Sequence, residues 1–206
     1  VLHMPELSRR VQTFTDSVIR RMTRINNMTP GSINLSQGFP DFDPPQEILD
    51  ALKEAAEHGP HQYSITFGAK NFRDALAEMY TKKFAREIDP EKEIVVTCGG
   101  TEAMMAAMMT VCNPGDKVAV FSPFYENYGP LVPPDFHYDS EALERAFQAG
   151  AKALILCNPS NPCGKVFTME EMEEIAELAK RYDAFVITDE VYEYIIYGEN
   201  RHISMA

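Results

Sequence analysis

From Glu93 to Thr188 the chain alternates two hydrophobic rhythms. "EIVVTC" (93–98), "KVAVFS" (117–122), "KALILC" (152–157) and "AFVIT" (184–188) are short, nearly continuous apolar runs. Runs of that length predict strands buried on both faces. Between them lie segments with apolar residues at helical spacing: "TEAMMAAMMTVC" (101–112), "SEALERAFQAG" (140–150) and "TMEEMEEIAELAKRY" (168–182). Gly150 closes the second of these, and Thr168 with Glu171 opens the third as a capping box. "NPGD" (113–116) is a turn. The alternation predicts an α/β fold, a three-layer sandwich with a mostly parallel sheet covered by helices on both faces.

The first 92 residues read differently. A helix is expected over about residues 5–25, followed by "GSINLSQGFPDFDPP" (31–45), whose Gly, Pro and Asp suit an arm or covering loop. A helix then starts near Pro45, with Ile48, Leu49, Leu52, Ala55 and Ala56 on one face, and ends at Gly59. Another runs over 70–86, with Phe72, Leu76, Met79 and Tyr80 in step. The expected division is an N-terminal arm over 1–45 and the sheet domain over 46–206. One join is short: "YGPLVPPDFHYD" (128–139) leaves no room for a crossover helix and return strand. Either the connection is unusually tight or residues are lacking between Pro130 and Leu131.

Charge narrows the partners. With 31 acidic against 19 basic residues and a net charge of −12, the chain lacks the basic face that a nucleic acid or an anionic membrane requires. Its longest apolar stretch, "AMMAAMMTVC" (103–112), is far short of the roughly 18 residues of a membrane span, and "VLHMPELSRR" has no apolar core of a secretory leader. Cys98, Cys112, Cys157 and Cys163 form no CxxC pair and no zinc-like spacing with histidine. Reduced thiols in a cytoplasmic protein, with no metal, are the expectation. The methionines of 101–112 (Met104, Met105, Met108, Met109) read as core packing.

Ligands of open α/β sheets bind beyond the carboxyl ends of the strands, so the residues following each run carry the chemistry. After "IVVT" comes Cys98-Gly99-Gly100-Thr101 at a helix start, a place where free N–H groups and the helix dipole suit a phosphate. After "VAVF" comes "SPFY", whose Tyr125 can stack on a ring. After "LILC" comes "NPSNPCGK" (158–165), a rigid turn able to aim the Asn161 amide. After "FVIT" comes Asp189-Glu190-Val191-Tyr192, and Asp189 can pair with a protonated ring nitrogen. Singly, these are a helix start, a core or surface tyrosine, a turn and a surface carboxylate. Together on one edge they describe a site for a flat, heteroaromatic, phosphorylated ligand.

The motifs "LSQGFPDF", "HQYSITFG", "VTCGGTEA", "SPFYENY", "NPSNPCGKVF" and "ITDEVYEY", in this order, resemble the class I/II aminotransferases, the pyridoxal-phosphate enzymes of fold type I. Their form is closer to the branch with kynurenine, methionine and aromatic aminotransferases than to the aspartate-specific branch. The resemblance runs from about Asn34 to Ile203. It implies a cofactor, pyridoxal 5'-phosphate, in the large domain that 46–206 would supply, with part of the small domain in 1–45. Asp189 would salt-bridge the pyridine nitrogen, keeping the ring an electron sink. Tyr192 and Asn161 would hydrogen-bond the ring oxygen. Gly100 and Thr101, with the Glu102 N–H, would hold the phosphate, and Tyr125 would stack on the ring. Gly38 would offer its N–H to the substrate carboxylate, with Asn161 also on the substrate side. Tyr63 would reach the neighbouring subunit's site, implying a homodimer with shared active sites. Glu190 has no role in this scheme and reads as structural or solvent-facing.

The implied reaction moves an amino group between an L-amino acid, aromatic, methionine or similar, and a 2-oxo acid. The alternatives are a C–S lyase or related enzyme of the same fold, and an incomplete chain that only binds the cofactor or dimerises. The family's Schiff-base lysine and its later carboxylate-binding arginine match nothing here and are expected beyond residue 206. Lys165 belongs to the "NPCGK" loop, and Lys152 and Lys180 sit at a strand start and a helix end; none is the expected nucleophile. Phe39, Phe67 and Tyr63 point to a pocket for aromatic or long apolar side chains.

Overall fold

The computed structural model describes Glu6 and residues 17–38, 40–125 and 138–206. The beginning of the helix expected over 5–25, Phe39, and the short join around Pro130 and Leu131 lie outside the described residues. The chain divides into two units, residues 1–62 and 63–206.

Among the described residues the first unit holds two helices. Helix α1, Val18–Asn27, starts at Ser17, whose hydroxyl accepts the Arg20 N–H at 3.4 Å. Helix α2, Gln46–His58, follows Pro45 and stops at Gly59, which has a φ of 75°. Within this unit neither helix buries a side chain. The expected apolar face of α2 forms, but Ile48 and Leu52 remain exposed.

The second unit carries the α/β pattern. Helix α3 is Lys70–Phe84, ended by Ala85 in the left-handed region. Helix α4 is Gly100–Val111. Strand β1, Lys117–Val120, precedes helix α5, Ser140–Gln148, capped by the Asp139 carboxylate. Strand β2, Ala151–Cys157, precedes helix α6, Met169–Arg181, and strand β3 is Phe185–Asp189. The strands lie in the order β1-β2-β3, all parallel. Each passes to the next through a helix or a longer crossing, as parallel pairing requires.

Strand β2 is the centre. Ala153, Leu154, Ile155 and Leu156 are all buried, so both of its faces are covered. Leu154 and Leu156 pack with Leu143 and Phe147 of α5 and with Met172, Ile175, Leu178 and Ala179 of α6. The α6 positions recur at 3, 3 and 1 residues, the stripe of an amphipathic helix. The expected capping box is present in full: Thr168 Oγ1 accepts the Glu171 N–H, and the Glu171 carboxylate accepts the Thr168 N–H. Helix α4 contacts β3.

Two expectations need correction. Residues 93–98 form no strand; 94–97 have no regular secondary structure and lie outside the sheet, with Val95 exposed. An apolar run becomes a strand only when a neighbour satisfies its backbone, and among the described residues the sheet has three strands. The methionine-rich helix α4 is not core. It buries no residue in this unit, and Met105 and Met109 are largely exposed.

At the carboxyl end of β2 the fully buried Asn158 joins separate segments. Its N–H donates to the Asp189 carbonyl at 3.0 Å, its Nδ2 to the Ile203 carbonyl at 2.9 Å, and its Oδ1 accepts the Phe167 N–H at 3.1 Å. Asn158→Ala is expected to cost about 2–3 kcal/mol, because buried partners lose their hydrogen bonds; chemical denaturation of the variant measures it. Ile175→Ala, emptying a fully buried site in the α6 stripe, is expected to cost about 3 kcal/mol. Met105→Ala should stay within about 0.5 kcal/mol in the same denaturation series.

Candidate functional site

Parallel pairing sets the edge on which the chemistry collects. Cys157 of β2 lies in register with Asp189 of β3. Whatever follows those two residues therefore emerges side by side. After β2 the chain turns tightly: the Ser160 N–H donates to the Lys165 carbonyl at 2.8 Å, and the Gly164 N–H to the Ser160 carbonyl at 2.7 Å. The Asn158–Pro159 and Asn161–Pro162 peptides are cis. After β3 the turn closes on its own strand end, with the Val191 N–H donating to Asp189 Oδ1 at 3.1 Å.

The two turns meet. Asn161 Nδ2 donates to Tyr192 Oη at 3.4 Å, across 31 residues of sequence. Both side chains are half-buried, as is Asp189. Cys157, also beside this edge, has its thiol pushed up by burial, with Asp189 and Cys163 nearby adding to the effect. It is held as a neutral thiol, donating to the Pro159 carbonyl at 3.3 Å.

The start of α4 is shaped for an anion. No side chain caps it, and the first N–H groups of a helix have no intrahelical acceptor. Gly99 has a φ of 90°, and a Cβ placed on Gly99 or Gly100 would meet nothing within 4 Å. The Glu102 side chain reaches back to accept the Cys98 N–H. Glu102 thereby closes the turn with its carboxylate while its own N–H stays at the helix start. Gly100, Thr101 and Glu102 are all exposed.

The remaining expected residues fall as follows. Tyr125 lies five residues past the end of β1 and is half-buried. Tyr63 is fully exposed. Gly38 belongs to the first unit and is exposed. Lys165 is paired with Glu171 at 2.7 Å and lies 4.8 Å above the Phe167 ring. Lys152 pairs with Asp116 at 3.2 Å.

Glu190 is tied to the residues near the end of the described chain. It accepts the Ser204 hydroxyl at 2.8 Å and lies 3.4 Å from His202 Nε2. Glu193, on the same turn, faces His202 Nδ1 at 3.9 Å and pairs with Lys83. Burial by itself would lower the Lys83 pKa, but the Glu193 carboxylate outweighs it and holds the ammonium above its ordinary range. Both carboxylates thus pin the turn that carries Tyr192, one to residues 202–204 and one to α3.

Residue-by-residue reading missed Asn158 and Arg73, the two largest buried polar side chains. Asn158 had a signal, since it stands directly after a continuous apolar strand. Arg73 had none, because one arginine on an amphipathic helix looks like any solvated one.

The residues present fit a phosphorylated aromatic ligand: an uncapped helix start, an amide–phenol pair and a carboxylate at adjoining strand ends. Comparison with known proteins gives this fit a family. The model of "Aminotransferase class I and II" matches residues 30–205. Kynurenine–oxoglutarate transaminase 3 of Rattus norvegicus is 35% identical, with 86% of this chain covered and 44% of the relative. Aspartate aminotransferase of Pyrococcus abyssi is 33% identical over 97% of this chain and 55% of the relative. Among solved structures, N-succinyldiaminopimelate aminotransferase from Mycobacterium tuberculosis superposes with a TM-score of 0.88 at 35% identity, covering 97% of this chain and 56% of that one. Aspartate aminotransferase from Thermus thermophilus with maleate gives 0.86 at 31% identity, with 98% and 57% covered. The chain spans about half the length of the curated relatives it matches. On the family match and the extent of these likenesses, the chain belongs to the class I and II aminotransferases, pyridoxal-phosphate-dependent enzymes of fold type I.

Proposed function

We propose that this chain supplies the cofactor-holding part of an enzyme that transfers an amino group between an L-amino acid and a 2-oxo acid. The contact between Asn161 and Tyr192, beside Asp189, carries the reading. It brings two neutral hydrogen-bonding groups and one carboxylate to adjoining strand ends, the set that a pyridine ring with a phenolic oxygen requires.

When bound, pyridoxal phosphate supplies a ring that withdraws electrons from the substrate Cα. The chain's own residues make that possible. Asp189 would hold a proton on the ring nitrogen, since a nearby carboxylate favours the charged form of a base. Tyr192 and Asn161 hydrogen-bond the ring oxygen. The N–H groups of Gly100, Thr101 and Glu102, with the Thr101 hydroxyl, hold the phosphate. Tyr125 would stack on the ring. Gly38 would offer its N–H to the substrate carboxylate, and Asn161 would also bind substrate. Tyr63, exposed within its own chain, serves the site of a second copy in a homodimer. The protein acts in the cytoplasm, as four free cysteines suit, and no helix among the described residues is long and apolar enough to cross a membrane. The residues 1–45 act as an arm with part of a small domain, and 46–206 as the cofactor-binding domain.

The substrate we favour is aromatic, methionine or similar, on the form of "LSQGFPDF" and the aromatic residues Tyr63 and Phe67. A β-eliminating lyase on the same fold uses the same cofactor contacts. A panel of L-amino acids with 2-oxoglutarate, assayed on the full-length protein, separates the two. Formation of glutamate supports transfer, and release of pyruvate with ammonia from a cysteine conjugate supports elimination. Asp189→Ala in the full-length protein should still bind the cofactor, seen by its absorbance, while turnover falls by about a hundredfold or more as the ring nitrogen loses its proton. Unchanged turnover would remove Asp189 from this role.

A further inference from the structure

Arg73 is the one charged side chain among the described residues that is fully buried. A guanidinium is costly to take from water unless all its donors are satisfied. Here Nε donates to the Gly68 carbonyl at 3.1 Å, one terminal nitrogen to the Pro90 carbonyl, and the other to Glu91 Oε1 at 3.2 Å. Two of its acceptors are backbone carbonyls, so the side chain ties chain segments together more than it neutralises charge. The planar fork is what allows one residue to do this; an ammonium has no such geometry.

What it ties is the approach to helix α4. On one side, Gly68 presses on Val96. Gly68 has a φ of 103°, and a Cβ there would stand 2.6 Å from the Val96 side chain. The neighbouring Phe67 carbonyl accepts the Val96 N–H at 3.0 Å. On the other side, Pro90 and Glu91 sit in a turn where the Glu93 N–H donates to the Asp89 carbonyl at 2.9 Å. Residues 94–97 leave that turn without a strand ladder. They end in the tight Thr97–Gly99 turn, whose N–H···O bond is 2.8 Å, directly before the uncapped start of α4. Arg73 therefore grips the beginning of this segment through Pro90 and Glu91, and its middle through Gly68, Phe67 and Val96.

We propose that Arg73 is a positioning residue for the anion-binding turn of residues 99–102. It substitutes for the strand pairing that 94–97 lack, and so sets where the helix start meets a phosphate. The proposal rests on the cofactor reading above and assigns Arg73 no contact with the cofactor.

The test uses the full-length protein freed of cofactor. Affinities for pyridoxal 5'-phosphate and for pyridoxal, which lacks the phosphate, are measured by absorbance titration. In Arg73→Met and Arg73→Lys the affinity for the phosphorylated form is expected to fall about tenfold or more, the scale of one lost charge-assisted hydrogen bond. The affinity for pyridoxal should stay within about twofold, because the ring contacts at β2 and β3 are untouched. Gly68→Ala, which pushes on Val96 while keeping the arginine, should give the same selective loss, and it decides the matter if the Arg73 variants do not fold. Equal losses for both ligands, or none for either, overturn the proposal. Thr101→Val keeps the two ideas apart. If it removes the wild-type preference for the phosphorylated form while the Arg73 and Gly68 variants keep that preference, the cofactor reading stands and this inference falls. If the wild type shows no such preference, both fall.

Discussion

The buried Asn158 is the point on which the rest of the second unit's site depends. One residue at the end of the central strand bonds the end of β3, the segment entering α6, and the residues near Ile203. A buried amide with all these groups satisfied is stable only in one arrangement, because each lost bond leaves a buried polar group unpaired. Asp189 and the 158–165 loop are therefore fixed relative to each other before any ligand arrives. The contact between Asn161 and Tyr192 is the downstream consequence of that junction.

The turn after β3 is held from its other side by charge. Glu190 and Glu193 flank His202, and Lys83 closes the group beneath the rings of Tyr80, Phe84 and Tyr194. In the Lys83–Glu193 pair the carboxylate is only 12% exposed, so water screens it less than a surface pair. Tyr192 sits between the two glutamates in sequence, so its hydroxyl is aimed by groups that never touch the ring it is proposed to serve. This is also why Glu190, adjacent to Asp189 and of the same charge, has a different task. Asp189 ends β3 while Glu190 bonds Ser204, so the two neighbouring acids make different contacts, and only Asp189 belongs to the proposed ligand set.

Much of this was legible in the residues, and the failures have physical causes. Strands β1, β2 and β3 and helices α5 and α6 follow from patterns that are complete within each segment: an apolar run, a stripe, a cap. The run at 93–98 misleads because strand formation is a property of a pair, and Val95 and Val96 have no ladder partner among the described strands. The methionines of α4 mislead for the converse reason. Apolar residues on all sides of a helix imply burial, yet within this unit Met105 and Met109 face outward. Asp189, Asn161 and Tyr192 were visible because they follow strands, where parallel pairing brings them together. Arg73 was not, since its meaning lies in carbonyls that come from segments on both sides of its helix.

The division of labour proposed for the site accords with the near-equal likeness to relatives named for different amino acids. Kynurenine and aspartate transaminases stand at 35% and 33% identity. The phosphate, the ring nitrogen and the ring oxygen are the same in each such enzyme, so the groups proposed to hold them answer to one fixed ligand. A substrate side chain is read by other groups, and discrimination between two amino acids needs a difference in contact energy at those groups alone. Tyr63 and Phe67 precede the clamp that Arg73 makes on Gly68, and they stand outside the amide, phenol and carboxylate set. If these two residues face the substrate as proposed, changes there alter which amino acid is accepted while the strand-end groups stay as they are.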